Sequence, residues 1–201
     1  AEQSGGGKVY LEYEPKVAAI GAGLDIFKPR GSMVIDMGGG TSDIAILSLG
    51  DIVASQSIRM AGDKLNSDIT AYIKDHHGLV IGEHTAEQIK MEIGTALPVD
   101  EPKKIDVRGR DVATGMPKQI TTDENEIEGA IHGTLDQIVK ATIGVLETIP
   151  PELASDIIDR GIMLTGGTSL LKGIDQLFSD QLKVPVVVSQ DPLDNVAKGA
   201  G

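Results

Sequence analysis

The 201-residue sequence contains no cysteine and no run of apolar residues that approaches the 18 or so needed to span a membrane. The absence of cysteine excludes a disulfide framework, a thiolate metal site and a thiol nucleophile, and it fits a reducing cytoplasm. The N-terminus, Ala-Glu-Gln-Ser-Gly-Gly-Gly-Lys, has no apolar signal core. We therefore expect a soluble chain that is not processed by secretion.

Positive charge is also scarce, since 18 Lys and Arg residues stand against 30 Asp and Glu residues and the formal net charge is -12. This charge argues against a nucleic-acid partner, and a bound nucleotide would need local cations or Mg²⁺. An initiator Met is absent, which predicts that the chain is a piece of a longer one. Its length predicts one domain or two small ones, with about 70% of the surface of the unfolded chain buried.

Three consecutive glycines stand between two apolar runs in the stretch Met33-Val-Ile-Asp-Met-Gly-Gly-Gly-Thr-Ser-Asp-Ile-Ala-Ile-Leu47. The β-branched and aliphatic residues on either side predict two strands joined by a tight turn. Gly38, Gly39 and Gly40 lack a Cβ atom, so their backbone N–H groups can approach an anion closely. The stretch therefore predicts a phosphate-binding turn that Asp36 enters and Thr41 leaves.

Two other glycine-rich phosphate loops do not fit this stretch, because both lead from a strand into a helix. A P-loop ends in Gly-Lys-Ser/Thr, which is absent here. A dinucleotide-binding turn needs a helix where the chain has Ile44 to Leu47. An ordinary hairpin with a mobile glycine turn remains open on these residues alone.

Apolar patterning along the rest of the chain predicts a mixture of strands and helices. Strands are predicted at 8–12, 33–37, 43–49, 52–59 and 184–188, and a small hairpin from the runs at 105–107 and 118–120. Helices are predicted at 15–23, 62–78, 123–149 and 152–158. Thr85 and Gln88 form a capping-box pattern, which predicts that another helix begins there. A second strand-glycine unit at 161–170 is predicted to lead into a further helix.

Three charged residues have ordinary interpretations when they are taken singly. Glu14 precedes Pro15 at a strand-to-helix junction, where the helix dipole favours an acidic residue. Glu87 and Lys90 are three residues apart on one helix face, where an exposed ion pair contributes roughly a few tenths of a kcal/mol. Any further function of these side chains depends on what surrounds them.

The two strand-glycine units, Asp36-Met-Gly-Gly-Gly-Thr41 and Leu164-Thr-Gly-Gly-Thr-Ser169, lie about 125 residues apart. Together they resemble the nucleotide-binding superfamily of actin, Hsp70-type chaperones and sugar kinases. Within that superfamily, the sequence is similar to the MreB family of bacterial actin homologues. The similar stretches span nearly the whole chain and are Val9 to Gly23, Thr85 to Gly94, Val107 to Asp111, Thr114 to Lys118 and Pro150 to Gly161.

The resemblance implies an α/β, actin-like ATPase fold, in which a ribonuclease-H-like mixed sheet is flanked by helices and carries an inserted small α+β subdomain. Residues 1–64 and 135–201 would form the ribonuclease-H-like subdomain, with a short remnant of a preceding domain at 1–23. Residues 65–134 would form the inserted subdomain. Because MreB sequences are longer and begin with another phosphate loop, the chain is expected to be the second half of such a protein.

The resemblance also implies functions for individual residues. Glu14 matches the Glu that orders the attacking water, Thr41 shares that task, and Asp36 matches the carboxylate that holds Mg²⁺ through water. The residues implied to bind ATP or ADP are Gly38, Gly39, Gly40, Thr41, Glu87, Gln88, Ile89, Lys90, Gly166, Gly167, Thr168 and Ser169. The chain departs from the family at Tyr13, where a second Glu is common, and at Thr168-Ser169, where Gly-Ala is commoner.

The implied function is a cytoskeletal ATPase that controls bacterial cell shape. It would polymerise head to tail in the cytoplasm, with the segment at about 65–135 touching the next subunit, and its filaments would associate with the membrane and its cell-wall machinery. Because the ATP site of the superfamily lies between two domains, the chain alone is expected to bind ATP weakly. A sugar-kinase-type phosphotransferase and an Hsp70-type chaperone ATPase are the alternatives. The first needs a substrate carboxylate from outside this chain, and the second needs a β-rich peptide-binding domain.

Overall fold

The computed structural model describes residues 12–200, so the strand predicted at 8–12 lies outside the described residues except for Glu12. The strands are β1 (Ser32–Met37), β2 (Ser42–Ser48), β3 (Asp51–Ile58), β4 (Leu79–Val80), β5 (Lys104–Asp111), β6 (Pro117–Asp123), β7 (Ile162–Thr165) and β8 (Val186–Val188). The helices are α1 (Glu14–Gly21), α2 (Gly62–His77), α3 (Glu83–Ile93), α4 (Glu124–Leu146), α5 (Pro151–Arg160), α6 (Ile174–Leu182) and α7 (Asn195–Ala200).

Five of the strands form one mixed sheet in the order β3-β2-β1-β7-β8. The strands β1, β2 and β3 are antiparallel neighbours, which confirms the three consecutive strands predicted from the sequence. On the other side of β1, the strands β7 and β8 run parallel to it. Helices cover both faces of this sheet, and the predicted α/β fold with a mixed sheet flanked by helices is confirmed.

Strand β1 lies at the centre of the sheet, and all six of its residues are buried. Its alternate side chains serve two cores, as the two-residue period of a strand requires. Met33, Ile35 and Met37 belong to the main core, to which helices α2, α3, α4 and α6 contribute. Val34 belongs to a smaller cluster on the opposite face, where Ala19 of α1 packs. Burial on both faces fixes where β1 ends and therefore where the glycine turn begins.

A second, three-stranded sheet has the order β4-β5-β6. The predicted hairpin is its main part, because β5 and β6 pair antiparallel over their length. Helix α4 packs against β2 and β3 of the large sheet and against β6 of the small one. Val107 of β5 belongs to the same hydrophobic cluster as Met33, so the core is continuous between the two sheets. The division into subdomains at 64/65 and 134/135 stays a prediction.

One local prediction was wrong, and another was confirmed only in part. Helix α3 begins at Glu83 after an extended Gly82, so Thr85 lies inside the helix and does not cap it. Gly82 separates this helix from Ile81, which is buried in the core. In the second strand-glycine unit, a short 3₁₀ turn at Gly167–Leu170 follows the glycines, and helix α6 begins only at Ile174. Within residues 12–200, no helix is both long and apolar enough to cross a membrane.

Candidate functional site

The two glycine units leave the large sheet side by side. Strands β1 and β7 are parallel neighbours, with Asp36 paired to Thr165, so both chains turn at the same edge of the sheet. This edge is formed by the carboxyl ends of the parallel strands, where open α/β sheets commonly bind ligands. The first unit then returns as β2, and the second enters the 3₁₀ turn.

The two units are in direct contact. The hydroxyl of Thr168 donates a hydrogen bond to the carbonyl oxygen of Gly38 over 2.8 Å. Gly166 has φ +82, and a Cβ atom there would lie 2.5 Å from Oδ1 of Asp36 and would also overlap the carbonyl oxygen of Met37. A glycine is therefore required at this position by both backbone conformation and space.

The first glycine turn leaves three consecutive backbone amides free. Its carbonyl groups point into the protein, because Gly38 O accepts from Gly62 N at 3.2 Å and Gly39 O accepts from Asp63 N at 2.8 Å. Within the described part of the chain, no protein group accepts a hydrogen bond from the amides of Gly39, Gly40 or Thr41. Consecutive free N–H groups in a turn make a site for an anion such as a phosphate.

A pocket of about 590 Å³ opens beside this turn. Glu87 and Lys90 of α3 line one part of it, and Gly167 and Thr168 of the second glycine unit line another. Three apolar side chains at the pocket are largely exposed, namely Met91, Leu170 and Leu193. This lining combines a few polar groups with apolar surface, which is the common composition of small-molecule sites.

Lys90 lies close to the first glycine turn. Its ammonium group donates to the carbonyl oxygen of Gly62 over 3.2 Å, at the start of α2. Burial lowers the pKa of Lys90, while the Glu87 and Asp63 carboxylates act in the opposite direction and raise it. Glu87 and Lys90 are thus part of the pocket lining, in which a cation stands near the free amides.

Several carboxylates also lie near the turn. Asp36 is buried, and its burial, followed by the nearby charges of Glu14 and Asp43, raises its pKa to about 6. The hydroxyl of Thr41 donates to Oδ2 of Asp43 over 2.9 Å. The fold therefore brings Glu14, Asp36 and Thr41 into one neighbourhood, although they come from α1, β1 and the turn.

A divalent cation would suit this acidic end of the site. Its charge would favour the ionised form of Asp36, whose pKa is raised by burial and then by the charges of Glu14 and Asp43. Among residues 12–200, no group of three His, Cys, Asp or Glu side chains is arranged to hold a metal ion directly. A contact through water therefore fits these residues better than a full set of protein ligands, as is usual for Mg²⁺.

The structure does not bring every predicted residue to the pocket. Gln88 is exposed and Ile89 is buried in the main core, because neighbouring residues of α3 point in different directions. Ser169 is buried, and its hydroxyl donates to the carbonyl oxygen of Gly166 over 2.7 Å. This hydrogen bond stabilises the conformation of the second glycine turn. Glu87, Lys90, Gly167 and Thr168 line the pocket itself.

Sequence analysis missed several residues at this site. Asp63 was interpreted only as the start of a helix, and Asp43 only as part of a strand, yet one lies at the pocket and the other contacts Thr41. Leu193 reaches the pocket from a loop near the end of the chain. The positions of Asp63 and Leu193 depend on the packing of distant segments, whereas Asp43 contacts Thr41 locally, two residues further along the chain.

The family model of the MreB/Mbl proteins matches residues 1–201. The cell shape-determining protein Mbl of Bacillus subtilis is 55% identical to this chain over 201 residues. That match covers 100% of this chain and 60% of the relative, so the chain spans well under two thirds of the length of Mbl.

Solved structures are similar to this chain as well. MreB5 of Spiroplasma citri bound to AMPPNP is 39% identical with a TM-score of 0.95, and the match covers 98% of this chain and 60% of that one. Its complex with ADP matches with the same values. The double helical filament of MamK is 20% identical with a TM-score of 0.76, covering 93% of this chain and 57% of that one, and therefore shows the shared fold alone.

Proposed function

Because this chain belongs to the MreB/Mbl protein family, we propose that it forms one wall of an ATP site in a filament-forming, actin-like ATPase that controls cell shape. The observation that carries the proposal is the turn with three free amides, which is tied to a second glycine turn and opens into a pocket of about 590 Å³. The similar proteins support it, since Mbl is a cell shape-determining protein and MreB5 binds both AMPPNP and ADP.

The phosphates of ATP or ADP would bind the amides of Gly39, Gly40 and Thr41. The nucleoside would occupy the pocket between α3, with Glu87 and Lys90, and the second glycine turn. Met91, Leu170 and Leu193 offer exposed apolar surface on which a base can pack. This orientation uses the polar turn for the charged end of the ligand and the apolar lining for the other end.

Asp36 would hold Mg²⁺ through water at the phosphate end. The metal would supply positive charge to the phosphate oxygens, which phosphoryl transfer requires. The position of Asp36 supports this assignment, because the carboxylate is buried beside the charges of Glu14 and Asp43, which together with burial raise its pKa to about 6, and a cation there would favour the ionised form. Glu14 and Thr41 would orient the attacking water, and Glu14 would accept its proton late in the reaction.

Self-association would use the small sheet. The tip of the β5–β6 hairpin exposes the apolar side chains of Val112 and Met116, which are 51% and 64% exposed. Such a tip is available for contact with a second copy of the chain, in line with the head-to-tail filament implied by the family resemblance. By the same resemblance, we place the filaments in the cytoplasm, next to the membrane and its cell-wall machinery.

Calorimetric titration of Mg²⁺-ATP into the full gene product that contains these residues tests the nucleotide site. Lys90→Ala should weaken binding about tenfold, equivalent to roughly 1.4 kcal/mol, because it removes a cation that lines the pocket and donates to Gly62 O at the start of α2. Lys74→Ala is the matched control, since Lys74 is an exposed lysine near the far end of α2. No saturable binding, or equal effects of the two substitutions, would overturn the proposed site.

The same titration on the 201-residue chain tests whether these residues form one side of the nucleotide site or the whole site. We expect weaker binding than in the full gene product, because these residues are proposed to form one side of the site. Tight binding to the chain alone would mean that it holds a complete site. Light scattering on both samples would show whether polymer forms under the same conditions. The sugar-kinase and chaperone alternatives are not favoured, since Mbl is a cell shape-determining protein.

A further inference from the structure

Asp63 occupies a special position at the start of helix α2. The first two amides of this helix are already used by the glycine turn, because Gly62 N donates to Gly38 O and Asp63 N donates to Gly39 O. These two amides therefore support the glycine turn and are not available to an anion. What the helix presents to the pocket at this point is the carboxylate of Asp63.

The Asp63 carboxylate lies against the turn. A Cβ atom built on Gly39 would be 3.4 Å from Oδ1 of Asp63, and one built on Gly40 would be 3.8 Å from Oδ2. The side chain is exposed at the pocket, and within residues 12–200 it forms no hydrogen bond or ion pair. A negative charge without a partner thus stands beside the amides that are proposed to bind phosphates.

Lys90 is a cation close enough to interact with Asp63, but it forms no ion pair with it within residues 12–200. Lys90 is attracted by both Asp63 and Glu87, and its own ammonium group is directed to the carbonyl oxygen of Gly62. A phosphate entering the turn therefore meets a repulsive carboxylate on one side. A divalent cation bound with the nucleotide reverses the sign of that interaction, because it is attracted by Asp63 and by the phosphates together.

We propose that Asp63 makes nucleotide binding at this site depend on a divalent cation, by repelling free ATP or ADP and accepting the metal-bound form. This inference rests on the proposed function, since it requires that the pocket binds a nucleotide. It goes beyond that function because it names the residue that discriminates between two forms of the same ligand. The helix dipole also favours a carboxylate in the first turn of a helix, but that interaction changes only the stability of the protein.

The test compares ADP binding in MgCl₂ and in EDTA for the full gene product, by calorimetry or with a fluorescent ADP analogue. In the unaltered protein, the dissociation constant should be much larger in EDTA. Asp63→Asn should reduce the ratio of the two dissociation constants about tenfold, mainly by tighter binding of free ADP, since one unit of repulsive charge is removed. Asp63→Glu should keep the ratio near that of the unaltered protein.

Asp75→Asn is the matched control. It removes the same charge from the same helix, at an exposed position about 18 Å farther along the helix axis. In Asp75→Asn, the ratio of the ADP dissociation constants in EDTA and in MgCl₂ should be the same as in the unaltered protein. If Asp63→Asn does not fold, Asp63→Ser carries the test, because serine is also tolerated in the first helical turn.

The outcomes separate the inference from the proposed function. A ratio that is equal in Asp63→Asn and in the unaltered protein, with ADP bound in both, would overturn the inference and leave the nucleotide site in place. No ADP binding to the unaltered protein in either buffer would overturn the proposed function, and the inference with it. A lower melting temperature with an unchanged ratio would show that Asp63 is a helix-start residue only.

Discussion

The hydroxyl of Thr168 and the carbonyl oxygen of Gly38 are 2.8 Å apart, although the two residues are separated by 130 positions in the sequence. The same carbonyl oxygen accepts a hydrogen bond from the amide of Gly62 at 3.2 Å. One backbone group therefore joins the first glycine turn, the second glycine turn and the start of helix α2. The geometry of the proposed phosphate site depends on this junction.

Thr168→Val should weaken the junction, because valine has nearly the same shape and cannot donate. We expect a loss of about 1 kcal/mol in the free energy of unfolding, the usual contribution of one hydrogen bond. Nucleotide affinity should fall as well, since the two turns are no longer tied together. Urea denaturation and calorimetric titration measure these two effects.

Thr70→Val is the control for Thr168→Val. The Thr70 hydroxyl donates to Asn66 O within α2 and joins no distant segments. This substitution should leave nucleotide affinity unchanged. Equal affinity losses in the two variants would contradict the link between the junction and the site.

Gly166→Ala should be strongly destabilising. The residue has φ +82, and an alanine Cβ would overlap Met37 O and approach Asp36 Oδ1. We expect a loss of at least about 2 kcal/mol in the free energy of unfolding, since both strain and overlap act against the folded state. Denaturation curves give this value directly.

Gly129→Ala is a glycine control with the opposite expected sign. Gly129 is exposed in helix α4, and a Cβ atom there would meet no other atom within 4 Å. Alanine should stabilise the helix by roughly 0.5–1 kcal/mol. A destabilisation of Gly166→Ala no larger than the effect of this control would contradict the requirement for glycine at the second turn.

The sequence predicts much of this fold because the relevant signals are local. The burial of β1 follows from its apolar residues at 33–35 and 37, and the start of α4 follows from Asp123, which accepts hydrogen bonds from the amides of Asn125 and Glu126. The capping-box pattern at Thr85 does not mark the helix start, because α3 begins two residues earlier at Glu83, just after the buried Ile81 and the extended Gly82. The local capping pattern therefore does not determine where α3 begins.

Helix α7 was not predicted, and its residues explain why. The segment Asn195–Ala200 has only 6 residues, so it is too short to show a periodic signal. It is held by close packing against α1, where a Cβ atom on Gly199 would overlap the carbonyl oxygen of Val17. Contacts of this kind depend on backbone approach between distant segments, which a single sequence does not display.

Prediction of the site was limited in the same way. The free amides at Gly39 to Thr41 follow from the glycine pattern, and Glu87 and Lys90 follow from the family resemblance. Asp63 was assigned only a helix-start function, because nothing in its neighbours shows that α2 begins directly against the glycine turn. The arrangement of charges around the site therefore cannot be predicted without the three-dimensional structure.

Asp36→Asn should change the pH dependence of stability. The pKa of Asp36 is raised from 3.8 to about 6 in the folded protein, so the folded state binds its proton more tightly than the unfolded state. The contribution of Asp36 to stability is fully present below about pH 4 and is lost as the pH rises through about 6. Above that pH, the ionised carboxylate lowers the free energy of unfolding by on the order of 2–3 kcal/mol.

Asparagine stays neutral at every pH, so the variant should gain stability relative to the unaltered protein as the pH rises. Between pH 5 and pH 7.5 the relative gain should be about 1 kcal/mol, measured by urea denaturation without nucleotide. Asp43→Asn should reduce the pH dependence in part, because Asp43 is one of the charges that raise the pKa of Asp36. An equal stability difference at both pH values would contradict the raised pKa.

Glu14→Gln should slow ATP hydrolysis without weakening ATP binding. The proposed function of Glu14 is to orient water and accept its proton, and such a group acts mainly in the transition state. In the full gene product, we expect single-turnover phosphate release to fall by about 10² or more, with the dissociation constant of ATP changed by less than about twofold. Glu12→Gln, two residues earlier and also exposed, should have little effect on either. Equal losses of binding and turnover in Glu14→Gln would mean that Glu14 is a structural residue.

Val112→Asp should prevent self-association if the tip of the β5–β6 hairpin contacts a second copy. Val112 is 51% exposed at that tip, so a charge there is solvated in the monomer and costs little stability, whereas burying it in a contact is expensive. Light scattering of the full gene product with Mg²⁺-ATP should show polymer for the unaltered protein and none for the variant.

Val53→Asp is the matched control, because Val53 is 44% exposed on β3 of the other sheet and should leave polymer formation intact. Polymer from Val112→Asp at the unaltered protein's critical concentration would move the contact away from the hairpin, whereas loss of polymer in both variants would point to a general effect of added negative charge on a chain that already carries -12.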